Sequence, residues 1–270
     1  MDNDTPPSKR DFTERDISST FVKGMTVLRA FDDTNTRLTL AEIAQITDLD
    51  RASVRRLTLT LVHLGYARKD GRHFSLSPKV LTLAGSFLRG NQFGSLIPPL
   101  LHRSSSRIGA PVSLAIRDDD TAIYVAQSTS QEDDVSFGFT VGSQLPLLHT
   151  AIGRMILAFG SPGWAADMRN ETDFEQYTAE TIMDRDKIAE RVAECRTPGY
   201  AIVDGEFEGG VTGFAAPVGG LNSLKAVVGT SRPSLTVRKE EDRLQIISRL
   251  QQIALELGRS DLLPAPNSES

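Results

Sequence analysis

The chain has 270 residues, enough for two domains that each bury a core. Its single cysteine, Cys195, excludes an internal disulfide and is predicted to be a small core residue, with a redox-sensing thiol as the alternative. No run of about 18 apolar residues occurs, so no membrane-spanning helix is expected. Residues 1–16 are polar, lack the apolar stretch of a signal peptide and are predicted to be a disordered tail, which places the protein in the cytoplasm.

The net charge of −5 conceals two regions of opposite sign. Residues 17–90 carry eleven basic and six acidic side chains, a net +5, whereas residues 91–270 carry sixteen basic and twenty-four acidic side chains, a net −8. A basic module followed by an acidic one is typical of a DNA-binding head on a body that phosphates repel.

Three helices are predicted in the head. Residues 17–31 carry apolar side chains at helical spacing. Thr39 followed by Glu42 forms a capping box that starts a second helix, and Asp50 is predicted to cap a third. The apolar stripe predicted for this third helix comprises Val54, Leu57, Leu61 and Leu64.

The opposite face of the third helix carries three arginines and no acid. At 100° per residue it comprises Arg51, Ala52, Arg55, Arg56, Leu59 and His63, with Ser53 at its edge. A solvated surface is one interpretation. A recognition helix for the DNA major groove is favoured because a capped helix precedes it and a basic hairpin follows. Arginine can bind guanine bidentately, and Ala52 or Leu59 could contact a thymine methyl.

The hairpin predicted over residues 67–76 turns at Asp70-Gly71. Lys69 and Arg72 flank this turn and are expected to contact phosphates. Residues 17–77 are therefore predicted to be a winged helix-turn-helix. Its predicted DNA-binding residues are Thr39, Arg51, Ala52, Ser53, Arg55, Arg56, Lys69 and Arg72.

The remainder alternates strand-like and helical segments, an α/β (α+β) pattern. A linker with a helix over 79–89 is placed at 78–95, a second domain at 96–260 and a flexible tail at 261–270. Strands are predicted at 111–116, 121–127, 135–141, 201–203, 214–218 and 226–230, and helices at 150–159, 184–196 and after a Thr236 cap. The acidic residues 118–120 are predicted to form a turn, with a cation site as the alternative.

Signatures of catalysis are not found in the sequence. The four histidines share no metal-ligand spacing, no nucleophile elbow occurs, and the glycine-rich residues 205–220 lack a phosphate-binding lysine. No cofactor, metal or catalytic residue is expected. An enzyme, or a small-molecule-binding module whose winged helix contacts proteins, remains the alternative to a regulator.

An ordered set of segments resembles the IclR family of bacterial transcription regulators. They are Arg29-Ala30-Phe31, LTLAEIA (38–44), RASVRRL (51–57), LGYARKDGRHFSLSPKVLTLA (64–84), TAIGRMILA (150–158) and GYAIVDGEFEGG (199–210). The resemblance covers residues 17–258, and residues 70–84 are most similar to the branch governing breakdown of protocatechuate and 4-hydroxybenzoate. It implies a linker helix, a GAF-like domain that binds an effector and contacts other subunits, and a first helix that pairs two heads.

The start of the helix at residues 150–153 is the predicted ligand site. Its first N–H groups lack internal partners and favour a carboxylate. In the family, effectors contact the backbone of this TA-x-GR segment. Alternatively, Ala151 and Gly153 only let the helix pack on the sheet, and Arg154 pairs with a neighbouring acid. The predicted effector-binding residues are Leu147, Thr150, Ala151, Gly153, Arg154, Asp204, Glu206, Gly213, Gly229 and Ser231.

Three positions depart from the family pattern. Val203, Gly213 and Gly229 stand where members of the family often carry polar side chains, which implies a roomier and less polar pocket. We therefore expect an aromatic or otherwise bulky organic acid as effector, with a ligand-insensitive pocket as the alternative. The predicted protein is a regulator of aromatic catabolism that binds palindromic double-stranded DNA as a homodimer or homotetramer.

Overall fold

The computed structural model describes residues 12–13, 15–91, 93–94, 96–128, 139–172, 174–260 and 263. The chain divides into two compact units between Phe87 and Leu88. The tails predicted at 1–16 and 261–270 and the strand predicted at 135–141 fall largely outside the described residues, and residues 139–141 are not a strand. None of the helices in the described ranges is long and apolar enough to cross a membrane.

The first unit contains the predicted winged helix-turn-helix. Its elements are α1 (Ser19–Arg29), β1 (Leu38–Thr39), α2 (Leu40–Thr47), α3 (Arg51–Leu64), β2 (Ala67–Asp70) and β3 (His73–Leu76). The three strands pair antiparallel in the order β1-β3-β2. The hairpin of β2 and β3 is the wing, and Gly71 in its turn has a φ of 58°.

Two predicted caps determine where the second and third helices begin. The Glu42 N–H donates to Thr39 Oγ1 at 3.4 Å, and the Thr39 N–H donates to Glu42 Oε2 at 2.7 Å. Asp48 ends α2 with a φ of 52°. Asp50 Oδ1 accepts the Ser53 N–H at 2.9 Å. The caps thereby set which side chains α3 presents outward.

The buried side of α3 differs from the predicted stripe. Val54, Leu57 and Thr58 are buried, whereas Leu64 is 49% exposed. Ten residues at 100° per residue turn Leu64 roughly 80° away from Val54, whereas Thr58 lies within roughly 40°. Leu59, predicted to face outward, packs partly against the core.

Apolar side chains of α1 and of the next helix, α4 (Val80–Gly90), are exposed. Val22 and Met25 are 49% and 42% exposed, and Phe21 is 69% exposed. No residue of α4 is buried among those described, and Leu81 is exposed. Exposed apolar faces of this kind are typical of helices that contact another surface.

The second unit begins within α4 and contains further helices and a larger sheet. Its elements are α5 (Ile97–Ile108), β4 (Ser113–Asp118), β5 (Thr121–Gln127), β6 (Gln144–Pro146), α6 (Ala151–Phe159), α7 (Pro162–Glu171), α8 (Arg185–Glu194), β7 (Ala201–Asp204), β8 (Val211–Gly220), β9 (Ser223–Pro233) and α9 (Glu240–Arg259). Across the described residues, six strands pair antiparallel in the order β6-β5-β4-β9-β8-β7. The sequence did not predict α5, α7 or β6.

Helices cover both faces of this sheet. One core joins α5 and α9 to side chains such as Leu114, Phe214 and Val228, and the other joins α6 and α8 to Ala115 and Val227. Neighbouring strand residues therefore face opposite cores, as the two-residue period of a strand requires. This arrangement is compatible with the expected GAF-like domain.

The last helix begins later than predicted, whereas the acidic turn lies where it was predicted. Thr236 does not cap α9, because it lies in a short 3-10 turn and donates to the Pro233 carbonyl, and Lys239 occupies the N-cap position. Asp119 has a φ of 50° in the predicted turn between β4 and β5.

Candidate DNA interface and effector site

The outward face of α3 is cationic. Arg51, Arg55 and Arg56 are exposed, and none of them has an acidic partner within the described residues. Ala52 is also exposed, and Ser53 is half-buried, with its N–H donating to the Asp50 cap. Unpaired guanidinium groups remain available for base edges or phosphates.

The wing extends this basic surface. Lys69 and Arg72 are exposed beside the turn. Asp70, the acid within this turn, pairs with Arg37 at 2.5 Å, so its charge is compensated. The sequence did not indicate Arg37, whose partner lies 33 positions away. Thr39 is half-buried and its hydroxyl donates to Glu42, which makes it a positioning residue for α2.

A cavity lies in the second unit beside the start of α6. Its wall contains the rings of Tyr124, Phe139 and Phe207. The centroid of Phe139 lies 6.2 Å from that of Tyr124 and 5.9 Å from that of Phe207. Burial raises the pKa of the Tyr124 hydroxyl, which stays neutral.

Five predicted effector-binding residues lie in this wall, namely Thr150, Ala151, Glu206, Gly213 and Ser231. Thr150 Oγ1 accepts the Gly153 N–H at 3.0 Å, and the Thr150 carbonyl accepts the Arg154 N–H. The N–H groups of Ala151 and Ile152 therefore have no acceptor among the described residues. Both residues line the cavity, so the positive end of α6 is directed towards it.

The structure places the other five predicted residues outside the wall, namely Leu147, Gly153, Arg154, Asp204 and Gly229. A Cβ atom at Gly153 would lie 2.3 Å from both Cα and O of Leu147, so this glycine serves the close approach of two backbone segments. A Cβ atom at Gly229 would lie 2.8 Å from two side-chain atoms of Ile152. Ile152 therefore occupies the space beside Gly229, where the sequence predicted a roomier pocket.

Arg154 and Asp204 are held in ion pairs. Arg154 Nη2 donates to Oε1 and Oε2 of Glu206 at 2.7 and 2.6 Å, so its observed partner is a neighbouring acid. Asp204 accepts from Nη1 and Nη2 of Arg243, each at 2.8 Å, which ties β7 to α9. Neither residue lines the cavity, and each is held in an ion pair beside it.

His149 is the polar side chain of the wall whose role the sequence missed. It is 2% exposed, and neither ring nitrogen has a hydrogen-bond partner in the described part of the chain. Nδ1 lies 3.7 Å from Glu206 Oε2, and the rings of Phe174 and Tyr177 contact the imidazole edge-on. A single buried histidine leaves no spacing pattern along the chain by which the sequence could have indicated it.

Other wall residues missed by the sequence come from strands, from α6, from the loop that joins β7 to β8 and from the segment before β6. They are Tyr124, Phe139, Leu145, Ile152, Phe207, Glu208, Val211, Phe214 and Thr230. Burial raises the pKa of the Glu208 carboxyl.

Cys195 lies in the core and not in the cavity wall. It is buried against α6, and its thiol donates to the Arg191 carbonyl at 3.1 Å. Burial raises the pKa of this thiol, as suits a core residue.

A winged helix-turn-helix with a cationic outward face, joined to a domain with an aromatic-walled cavity, defines a DNA-binding regulator with a separate ligand-binding domain. The family model "IclR helix-turn-helix domain" matches residues 20–71, and "Bacterial transcriptional regulator IclR C-terminal" matches residues 91–259. The chain belongs to the IclR family of bacterial transcriptional regulators. It is a regulator and not an enzyme.

Three known proteins illustrate the relationship. The chain is 33% identical over 215 residues to the Pca regulon regulatory protein of Pseudomonas putida, covering 78% of this chain and 74% of the relative. It is 30% identical over 254 residues to the Pca operon regulatory protein of Acinetobacter baylyi, covering 93% and 91%. A solved structure from Rhodococcus sp. RHA1 matches with a TM-score of 0.72 and 32% identity, covering 90% of this chain and 98% of that one.

Proposed function

We propose that this regulator binds operator DNA through α3 and the wing, and that an aromatic carboxylic acid in the cavity controls this binding or the activity that follows from it. The aromatic wall of a cavity that also receives the positive end of α6 carries this proposal. The similarity to two Pca regulators supports a role in aromatic catabolism. Because its target is genomic DNA, the protein acts in the cytoplasm.

The DNA-binding part of the proposal follows from the charge and shape of the head. Arg51, Arg55 and Arg56 occupy the first turns of a capped helix, where side chains of a recognition helix meet base edges. Lys69 and Arg72 extend the cationic surface to phosphates beside the groove. The ion pair with Arg37 reduces the repulsion between the Asp70 carboxylate in the wing and the DNA phosphates.

The effector part follows from the chemistry of the cavity wall. A carboxylate would accept hydrogen bonds from the N–H groups of Ala151 and Ile152. An aromatic ring would lie among Tyr124, Phe139 and Phe207, where edge-to-face contacts favour it. A two- or three-carbon keto acid has no ring to make such contacts, so we assign the larger acid.

The assembly part follows from the exposed face of α1. Phe21, Val22 and Met25 present apolar surface that two copies would bury by packing α1 against α1. Two-fold pairing of heads requires a palindromic operator with half-sites about one helical turn apart, or a multiple of it. We propose a homodimer as the DNA-binding unit, with a homotetramer as a pair of dimers.

The experiment combines a mobility-shift assay with thermal-shift titration. DNA from beside the protein's own gene is titrated in the presence of benzoate, hydroxybenzoates, protocatechuate, pyruvate or glyoxylate. We expect sequence-specific binding, a change in that binding with aromatic acids, and stabilisation by the same acids. Equal affinity for operator and random DNA, or stabilisation by the keto acids alone, would contradict the proposal.

A further inference from the structure

We infer that His149 binds an uncharged hydroxyl group on the ring of the effector, which makes it a specificity-determining residue for hydroxylated aromatic monoacids. This inference rests on the proposal that the cavity takes an aromatic acid. It starts from two buried ring nitrogens that have no hydrogen-bond partner among the described residues. A buried polar group without a partner is costly, and a ligand that completes it is a common explanation.

Glu206 is not the missing partner of His149. The 3.7 Å between Nδ1 and Glu206 Oε2 exceeds hydrogen-bond distance, and both Glu206 oxygens already accept from Arg154. The imidazole is held in place by the edge contacts of Phe174 and Tyr177, with centroid distances of 5.6 and 5.8 Å. A fixed side chain of this kind offers its hydrogen bonds to a ligand without first having to be ordered.

The chemistry of the neighbouring groups selects a hydroxyl over a second carboxylate. A neutral imidazole offers one donor and one acceptor, and a hydroxyl group can both donate and accept. Glu206 and Glu208 line the same cavity and would repel a second carboxylate, while the guanidinium of Arg154 is already engaged by Glu206. The expected effector therefore has one carboxylate and at least one ring hydroxyl.

The test measures dissociation constants by isothermal titration calorimetry on the full chain. The ligands are benzoate, its three monohydroxy isomers and terephthalate, with wild type, His149→Phe, His149→Gln and Tyr124→Phe as proteins. In wild type we expect at least one isomer to bind about tenfold or more tightly than benzoate, and terephthalate to bind more weakly than benzoate. His149→Phe should abolish the gain from the hydroxyl while leaving benzoate affinity within about threefold.

Tyr124→Phe is the matched control, because it removes a hydroxyl group from an aromatic ring of the same wall. We expect it to keep the preference for the hydroxylated acid, and His149→Gln to restore part of it. If His149→Phe does not fold, His149→Asn is measured in its place, and loss of the preference in His149→Asn but not in Tyr124→Phe still assigns the preference to the imidazole.

Other outcomes overturn the inference. A preference that survives every His149 variant, or that only Tyr124→Phe removes, contradicts the role of His149. Equal binding of benzoate and all its hydroxy derivatives sinks this inference but leaves the proposed aromatic effector intact. Binding of none of these aromatic acids rejects both.

Discussion

Arg154 holds both carboxylate oxygens of Glu206 at 2.7 and 2.6 Å, and the two side chains are 3% and 8% exposed. The pair joins α6 to the loop that joins β7 to β8, which carries Phe207 and Glu208 into the cavity wall. Hydroxyl groups on the preceding segment hold the same loop, because Thr178 donates to the Gly205 carbonyl and Thr181 to the Glu206 carbonyl, each at 2.6 Å. The position of this loop is therefore linked to the start of α6 by a buried ion pair.

Breaking this pair should cost much more stability than breaking an exposed one. Arg154→Met leaves a buried carboxylate without its partner, and we expect a loss of about 3–5 kcal/mol in the free energy of unfolding. Arg191→Met, which removes an exposed pair with Glu194, should cost less than about 1 kcal/mol. Urea denaturation of the second unit's transition measures both. Equal losses would mean that the buried pair is not a structural link.

Two glycines of the second unit should respond in opposite ways to alanine. Gly153→Ala places a Cβ atom 2.3 Å from the Leu147 backbone, so we expect a destabilisation of about 1–3 kcal/mol or more. At Gly213 the nearest atom is the Cβ of Ala151 at 3.4 Å, so alanine should fold normally but narrow the cavity. Melting temperatures and effector titrations separate these effects. A stable Gly153→Ala protein would contradict the close approach.

The turn after α1 contains an unusually acidic carboxyl group. The side chains of Asn35 and Thr34 and the Asn35 N–H donate to Asp32, which lowers its pKa from 3.8 to about 2. A pKa lowered by folding stabilises the folded head fully above the unfolded pKa, and this contribution is lost as pH falls from about 4 to about 2. NMR titration should show a midpoint near 2, and Asp32→Asn should remove this part of the pH dependence. A midpoint near 3.8 in the folded protein would contradict the hydrogen bonds of the turn.

The exposed face of α1 provides a test of subunit pairing. Phe21→Glu introduces charge into apolar surface, and we expect it to shift the protein towards monomer and to weaken operator binding without lowering its thermal stability. Leu235→Glu, at an exposed position of the second unit, is the control. Light scattering measures the mass of each. An unchanged dimer in Phe21→Glu would place the head-pairing surface elsewhere.

The head could be predicted from the sequence because its signals are local. The Thr39–Glu42 box, the Asp50 cap and the Asp70-Gly71 turn each lie within a few residues and act through backbone hydrogen bonds. Contacts outside a helix could not be predicted in this way, since the exposure of Phe21 and Met25 depends on what α1 meets in space. Arg37 was missed for the same reason.

The effector site could be predicted only in part. The start of α6 was identified because a capped helix end has a local sequence signature and the family resemblance indicated it. Tyr124, Phe139 and Phe207 come from separate segments that the sheet brings together, so no spacing along the chain connects them. From the sequence, Gly153 and Gly229 were assigned to the site together with Gly213. In the structure, a close approach to the Leu147 backbone accounts for Gly153, and the Ile152 side chain accounts for Gly229.

We propose that α3 reads the base sequence while the wing contacts the DNA backbone. Fluorescence anisotropy on operator and random duplexes, over a range of salt concentrations, measures the binding of each variant. Arg55→Ala should lose about 1–3 kcal/mol of binding free energy on the operator and relax the preference at one base position. Lys69→Ala should weaken both duplexes alike and reduce the salt slope by about one. Equal losses on operator and random DNA for Arg55→Ala would contradict the assignment of α3 as the recognition helix.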